Sequence, residues 1–450
     1  MAGTAPGRKH MKAKSTLVSL RGEPISRRGL IVSAGAAGLA AAARPYGAFA
    51  AGPETTLKVG FISPRTGKLG GFGETDGYIL ELARKSLASG LKVGDKTYGV
   101  NVLDRDTQSD PSRAGQLAKT LINSDKIDMM LVVSTPETIN PVADACEAAG
   151  VPCMSTVMPW EAWYFGRGAK PGQPSPFKWT FHFGFGGGEF FKTYVSQWSL
   201  IETNKKVGVL YPNDADGNAI RENLAPALAK AGFTIIDPGP YEDGTTDYSA
   251  QIAKFKAEKC EIFNTFPIPP DFAAFWRQAA QQGYTKMVKI AQIAKTGLFP
   301  SEVTALGNLG YNLASAAYWH KAFPYKSSLT GVSGDELADG YEKASGKMWT
   351  QQLGATLALF DAGAAALTAS GDPSNKAALA KAMSTLKTVT IDGPIDFTSG
   401  PVPNVSPGPI IGTQWVKAPA GSRFPLDYPV TENATDPKVP IQAKLRPFNS

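Results

Sequence analysis

Between residues 57 and 154, short β-rich runs alternate with helix-length amphipathic runs, and the same alternation starts again near residue 205. A strand that returns parallel to its predecessor needs a crossover of a dozen or more residues, usually a helix, so this order commits the chain to parallel sheets covered by helices. The first series places strands at Leu57–Ile62, Gly99–Leu103, Asp128–Val133 and Val151–Met154, with helices at Glu74–Ser89, Ser112–Ser124 and Ile139–Ala149 between them. The second places strands at Lys206–Tyr211, Thr234–Asp237, Glu261–Thr265 and Met287–Gln292 around helices Gly217–Ala231, Tyr248–Lys259 and Asp271–Gln282. Both open on the same tripeptide, Lys58-Val59-Gly60 and Lys206-Val207-Gly208, and both follow it with a Pro-containing loop. The expected fold is therefore α/β, with two doubly wound parallel-sheet lobes.

After the second series the chain predicts another strand at Asn312–Trp319, helices at Gly334–Ser345, Gln351–Ser370 and Ala377–Ser384, and a β-rich stretch from Val389. It revisits both lobes, so a multi-strand hinge is expected rather than one linker. The expected boundaries are residues 51–182 plus about 320–388 for lobe 1, and 183–319 plus about 389–420 for lobe 2. Residues 421–450 are Pro-rich without a period and read as an extended tail on the surface.

The first 50 residues read as a segment that is removed. Arg27-Arg28 open directly into an Ala/Gly-rich apolar run that ends on Ala48-Phe49-Ala50, the order of a twin-arginine signal peptide with its cleavage site. The expected location is the periplasm. The run from Gly29 to Ala43 falls short of the roughly 20 strongly apolar residues a membrane span requires. The formal net charge of +7 also belongs to this segment. Removing its eight basic and one acidic side chains from the totals of 46 and 39 leaves 38 of each sign. A neutral mature chain gives no argument for nucleic-acid binding. Cys146, Cys153 and Cys260 imply no disulfide framework; Cys146 and Cys153 flank a helix-to-strand turn and stand equally well as a pair or as small buried thiols.

Several chemistries lack their residues. There is no phosphate loop and no G-x-S-x-G elbow. Gly184-Phe185-Gly186-Gly187-Gly188 sits between the two series rather than at the first turn of one. It suits a crossing near a hinge or ligand better than a dinucleotide. Of three histidines one is in the leader, leaving His182 and His320 with no metal spacing and no adjacent nucleophile motif. No cofactor, no metal and no catalytic residue is expected. A secreted α/β hydrolase remains as the rival from another class.

The stretch Leu57-Lys58-Val59-Gly60-Phe61-Ile62-Ser63-Pro64-Arg65-Thr66-Gly67 resembles the opening of periplasmic leucine/isoleucine/valine-binding proteins. Gly71-Phe72-Gly73, the Asp104–Asp110 turn, Val132-Val133-Ser134-Thr135-Pro136, Gly150-Val151-Pro152-Cys153-Met154-Ser155-Thr156 and Asp247-Tyr248-Ser249 are similar as well, so the resemblance covers nearly all of residues 55–420. It implies a type I flytrap with three hinge crossings that binds a small solute and hands it to an inner-membrane ABC permease. It also implies a monomer with no enzymatic activity. A sensor of the same fold feeding a signalling partner is the alternative.

Ligands of open α/β sheets sit beyond the carboxyl ends of the strands. That rule selects Ser134 and Thr135, whose hydroxyls at a helix start suit a carboxylate, with Ser155 and Thr156 as a second pair one strand away. The resembling family holds its ligand's carboxylate here, against the alternative that these residues only cap helices. Phe72 stands where relatives carry an aromatic wall. Trp160, followed by Trp163, Tyr164 and Phe165, is expected either in the cleft or as an interlobe packing cluster. Asp214, Asp216, Phe266 and Gln292 are expected from lobe 2. Relatives that bind amino acids place an acidic residue where Gln292 aligns, and an amide does not neutralise an ammonium. Either Asp214, Asp216 or Asp271 substitutes, or the solute is a carboxylate, amide or aromatic acid without an ammonium.

Overall fold

The computed structural model describes residues 55–450, except 267 and 268 and the side chains of residues 215, 216 and 269. The expected signal peptide lies outside the described residues. The first lobe is built from β1 (Thr55–Ser63), α1 (Asp76–Ser86), β2 (Leu91–Val93), β3 (Lys96–Asp106), α2 (Pro111–Asn123), β4 (Met129–Val133), α3 (Pro136–Ala149), β5 (Cys153–Thr156), α4 (Trp160–Tyr164) and β6 (Thr180–Gly184). The second contains α5 (Gly187–Trp198), β7 (Lys206–Leu210), α6 (Ala215–Lys230), β8 (Thr234–Ile236), α7 (Ser249–Ala257), β9 (Ile262–Thr265), α8 (Pro269–Gln281), β10 (Ile290–Ile293), α9 (Pro300–Ala305) and β11 (Leu313–Ala317). The chain then returns to the first lobe with α10 (Gly334–Ser345), α11 (Gln351–Ala369) and α12 (Lys376–Ser384). It ends with the hairpin β12 (Lys387–Thr390) and β13 (Gly393–Asp396), then β14 (Val405–Pro407), β15 (Ile411–Lys417), β16 (Leu426–Asp427) and β17 (Val430–Glu432).

The first sheet runs β2-β3-β1-β4-β5-β6-β14, parallel throughout except for the β2–β3 edge. The second runs β8-β7-β9-β10-β11-β15-β16, parallel as far as β11, with β17 also on β15. Strands buried on both faces read as continuous apolar runs rather than alternating ones. In β4 the side chains still alternate between two cores. Met129, Leu131 and Val133 join the core that includes α1 and α11, and Met130 and Val132 join the one under α2 and α3.

Local signals hold these helices in register. Asp110 accepts a hydrogen bond from the Arg113 N–H at 2.8 Å, with Pro111 opening α2 behind it. Helix α11 is buried almost all round, as a helix inside a domain must be. Gly354 lets it approach the chain leaving lobe 2, because a Cβ there would sit 2.0 Å from the Trp319 ring.

Three segments cross between the lobes: residues 184–187, 317–334 and 407–411. Two expectations need correction. The first sheet is completed by β14, so the chain returns to lobe 1 well beyond residue 388. The stretch 421–450 is built into lobe 2 rather than lying over it. There β16 and β17 pair with β15, Tyr428 stacks on Trp415 with centroids 4.0 Å apart, and Phe448 packs on Trp276 at 5.0 Å. Strands of two or three residues carry no period for a sequence reading to detect.

One buried charge should be felt in stability. Asp76 opens α1 fully buried, with Thr356 of α11 donating to Oδ1 at 3.1 Å and no partner on Oδ2. Burial pushes its carboxyl up to about 6. Between its usual value near 3.8 and 6 the folded state holds the proton that the unfolded state releases, so this group's contribution to stability falls as pH rises through that window and is flat above it. Asp76→Asn should remove the slope and stabilise the protein at pH 7.5 by up to about 3 kcal/mol, with no gain at pH 3, measured by urea unfolding.

Candidate functional site

Between the lobes lies a cavity of about 620 Å³, counting the space open to solvent. Lobe 1 supplies Phe72, the β4–α3 loop with Ser134 and Thr135, and Val157, Met158 and Pro159 after β5. Lobe 2 supplies Phe190 of α5, Ile220 of α6, Phe266 after β9, and Ala294, Lys295 and Leu298 after β10. All three crossings reach it as well, through Phe185, Tyr318 and Ile410. The Phe185 and Tyr318 rings stack 5.4 Å apart, and Phe190 meets Phe266 edge-to-face at 5.5 Å. At the far side Phe72 of lobe 1 meets Phe299 of lobe 2 edge-to-face at 5.2 Å. The walls are thus largely apolar, with five aromatic rings among them, which suits an apolar guest.

The polar end is the start of α3. Thr135 holds the N-cap position in extended conformation, but its side chain makes no capping bond. Neither Ser134 Oγ nor Thr135 Oγ1 has a partner, although the residues are only 1 % and 5 % exposed. A buried hydroxyl left unpaired costs about 1–3 kcal/mol. A ligand oxygen supplied between them recovers that cost, and the positive end of the helix favours a negatively charged one.

The opposite wall carries the charge. Lys295 Nζ lies 3.2 Å from Asp214 Oδ2, with 16 % and 18 % of the two side chains exposed. Asp214 also caps α6, accepting from the Gly217 N–H at 2.6 Å. Among the described residues lining the cavity, Lys295 is the one with a charged side chain.

Of the residues singled out from sequence, Phe72, Ser134, Thr135 and Phe266 line this cavity. Asp214 stands behind Lys295. Asp216 lies on α6, its side chain outside the described residues. Thr156 faces a smaller void beside the main one, shared with Asp392, Gly408 and Pro409. Ser155 is fully buried, bonded to His182. Trp160 packs on Phe165 and on the first crossing, where a Cβ at Gly186 would lie 2.1 Å from its indole nitrogen. Trp163 stacks on His182 and under the Arg167 guanidinium, and Tyr164 packs on Phe177, so this aromatic run builds lobe 1 instead of the cavity wall. Gln292 is buried within lobe 2, its Oε1 accepting from Trp198 Nε1 at 3.1 Å. Asp271 accepts from the Gly244 N–H and stays within lobe 2. Lys295, Phe185, Phe190, Tyr318 and Ile410 were missed. Lys295 lies in the loop after β10, three residues past Gln292, the position expected from sequence.

A serine–histidine pair does form in space, 27 residues apart in the chain. Ser155 Oγ lies 2.9 Å from His182 Nδ1, and His182 Nε2 is 3.0 Å from the Met158 carbonyl. Accepting at Nδ1 and donating at Nε2 satisfies both ring nitrogens. Burial pulls the imidazole down to about 3, far below the range useful to a general base, and neither residue lines the cavity. The pair is a core hydrogen bond. Cys146, Cys153 and Cys260 are free, buried thiols.

Comparisons with known proteins agree with this architecture. A family model described as periplasmic binding protein matches residues 56–404. A solute-binding protein of an ABC transporter from Rhodopseudomonas palustris in complex with 4-hydroxybenzoate superposes with a TM-score of 0.68 at 16 % identity, covering 85 % of this chain and 97 % of that one. Another from the same species, in complex with 3,4-dihydroxybenzoic acid, gives 0.66 at 19 % identity, covering 85 % and 99 %. A leucine-binding protein from Thermotoga maritima gives 0.65 at 16 % identity, covering 84 % and 99 %. No curated protein matches.

Ser155→Ala should leave the His182 acceptor unpaired, lowering stability by about 1–3 kcal/mol in urea unfolding while solute affinity stays unchanged. Loss of affinity in a variant that remains stable would place Ser155 at the ligand instead.

Proposed function

Because the chain belongs to the periplasmic binding protein family, we propose that it is the extracytoplasmic solute receptor of an ABC importer, and that it captures a small apolar solute through that solute's carboxylate. The observation that carries this reading is the pair of unpartnered hydroxyls, Ser134 and Thr135, buried at the start of α3 in a largely apolar cavity. Two of the similar structures hold hydroxybenzoates and a third is a leucine-binding protein, so carboxylate-bearing solutes are in keeping with the fold.

Delivery works by closure. The solute touches both lobes and all three crossings only when the lobes are together, so binding shifts the population toward the closed form by that difference in affinity. The closed surface is what the inner-membrane permease reads, and the chain acts on the solute without transforming it. The Arg27-Arg28 leader supports export by the twin-arginine route with cleavage after Ala50, leaving the working protein in the periplasm.

Calorimetric titration with benzoate and with benzamide tests the reading. The acid should bind and the amide, of the same shape but uncharged, should bind at least about tenfold more weakly. Ser134→Ala and Thr135→Ala should each weaken the acid by roughly tenfold, the worth of a hydrogen bond to a charged group. Equal binding of acid and amide, or full affinity in the double variant, would contradict it.

A further inference from the structure

We propose that Phe299 of lobe 2, seated against Gly71 and Phe72 of lobe 1, is a latch: it stabilises the closed form and so holds the solute in place without touching it. This rests on the closure reading above and is independent of which solute is bound.

The two sides of the contact are each fixed to their own lobe. Phe72 lies in the 3-10 turn Gly70–Gly73, and its N–H donates to the Leu69 carbonyl at 3.0 Å. The turn is pressed onto the segment that leaves β1, since a Cβ at Gly73 would sit 2.8 Å from the Pro64 carbonyl oxygen. On the other side Phe299 precedes Pro300 at the start of α9, and its carbonyl accepts from the N–H groups of Glu302 and Val303 at 3.1 and 3.2 Å. The rings meet edge-to-face, and Phe72 and Phe299 are only 7 % and 5 % exposed. At Gly71 the approach is closest: a Cβ there would lie 2.8 Å from the Phe299 ring. Neither side belongs to a crossing, so a rotation that parts the lobes parts these rings and returns them to water. The contact therefore favours closure, by about two- to tenfold in the closed-to-open ratio for the ring pair. A receptor whose binding-competent form is only partly populated gains apparent affinity by the same factor. Phe72 lines the cavity, but neither Gly71 nor Phe299 is among the described residues that do, so these two report on closure separately from contact with the solute.

Calorimetry and stopped-flow kinetics test this, with whichever of benzoate, 4-hydroxybenzoate and leucine the wild type binds most tightly. Phe299→Ala should weaken binding about three- to tenfold, through faster dissociation at a nearly unchanged association rate. Gly71→Ala, whose methyl group meets the Phe299 ring before the lobes are fully together, should weaken it by a similar factor. Adding Gly71→Ala to Phe299→Ala should cost no more than about a further twofold, because the ring in its way is gone. Independent damage to two lobes would instead multiply, which a merely structural role requires. Multiplying losses overturn the proposal, as does full affinity in Phe299→Ala. Full affinity in Gly71→Ala also overturns it, and that variant leaves the seat of Phe299 within lobe 2 intact, so it decides even where Phe299→Ala fails to fold. The closure reading fails separately: a bound solute then leaves the radius of gyration of the wild type unchanged in small-angle scattering, and the latch falls with it. A radius that shrinks on binding, beside unaltered affinity in both single variants, removes the latch alone. A wild type that binds none of the three solutes overturns the solute reading and this proposal together.

Discussion

Parallel strand pairing is the constraint from which the rest follows. A parallel strand must be followed by a crossover, so the loops that leave the strands of one sheet gather along one edge. Two such sheets in one chain, joined by three crossings, bring the β4–α3 loop of one lobe and the post-β10 loop of the other to a single cavity. The crossings then become part of the cavity, because Phe185, Tyr318 and Ile410 lie on them or beside them. A guest seated there touches both lobes and the segments that join them.

The region of the crossings is also arranged to avoid burying charge. Asp392 lies in the turn between β12 and β13, facing the small void shared with Gly184, Tyr318 and Gly408, and its Oδ1 has no partner. Burial alone pushes its carboxyl well above the usual range, which favours its uncharged form. The Tyr318 hydroxyl is satisfied by Gln352 of α11, and its backbone N–H by Gln351 at 3.0 Å.

What could be read in advance divides along physical lines. The strand and helix order was legible because β4 is a continuous apolar run, β1 is a β-rich run broken only at Lys58 between Leu57 and Ile62, and α2 carries its own cap in Asp110-Pro111. Ser134 and Thr135 were legible for the same local reason: a strand end, two hydroxyls and a proline opening a helix. Of the lobe 2 wall, Phe266 was legible and the charged part was not. The expected strand end, Gln292, lies within one residue of the observed end of β10 at Ile293, so Gln292 falls inside the strand with its amide in the core. Lys295, two residues past that end, carries the charge among the described lining residues. Trp163 of the Trp160–Phe165 run packs neither in the cleft nor between the lobes, because its partners, namely His182, Arg167 and Phe177, lie downstream and are brought to it only by folding. Phe185, Tyr318 and Ile410 face the cavity because three distant segments cross at one place, which no local pattern records.

The account stands on a carboxylate drawing the two halves together, and small-angle X-ray scattering measures that most directly. The radius of gyration of residues 51–450 should fall as an acid that calorimetry shows to bind is titrated to saturation, and should not change with its amide. Saturating binding of the acid with an unchanged radius would contradict it.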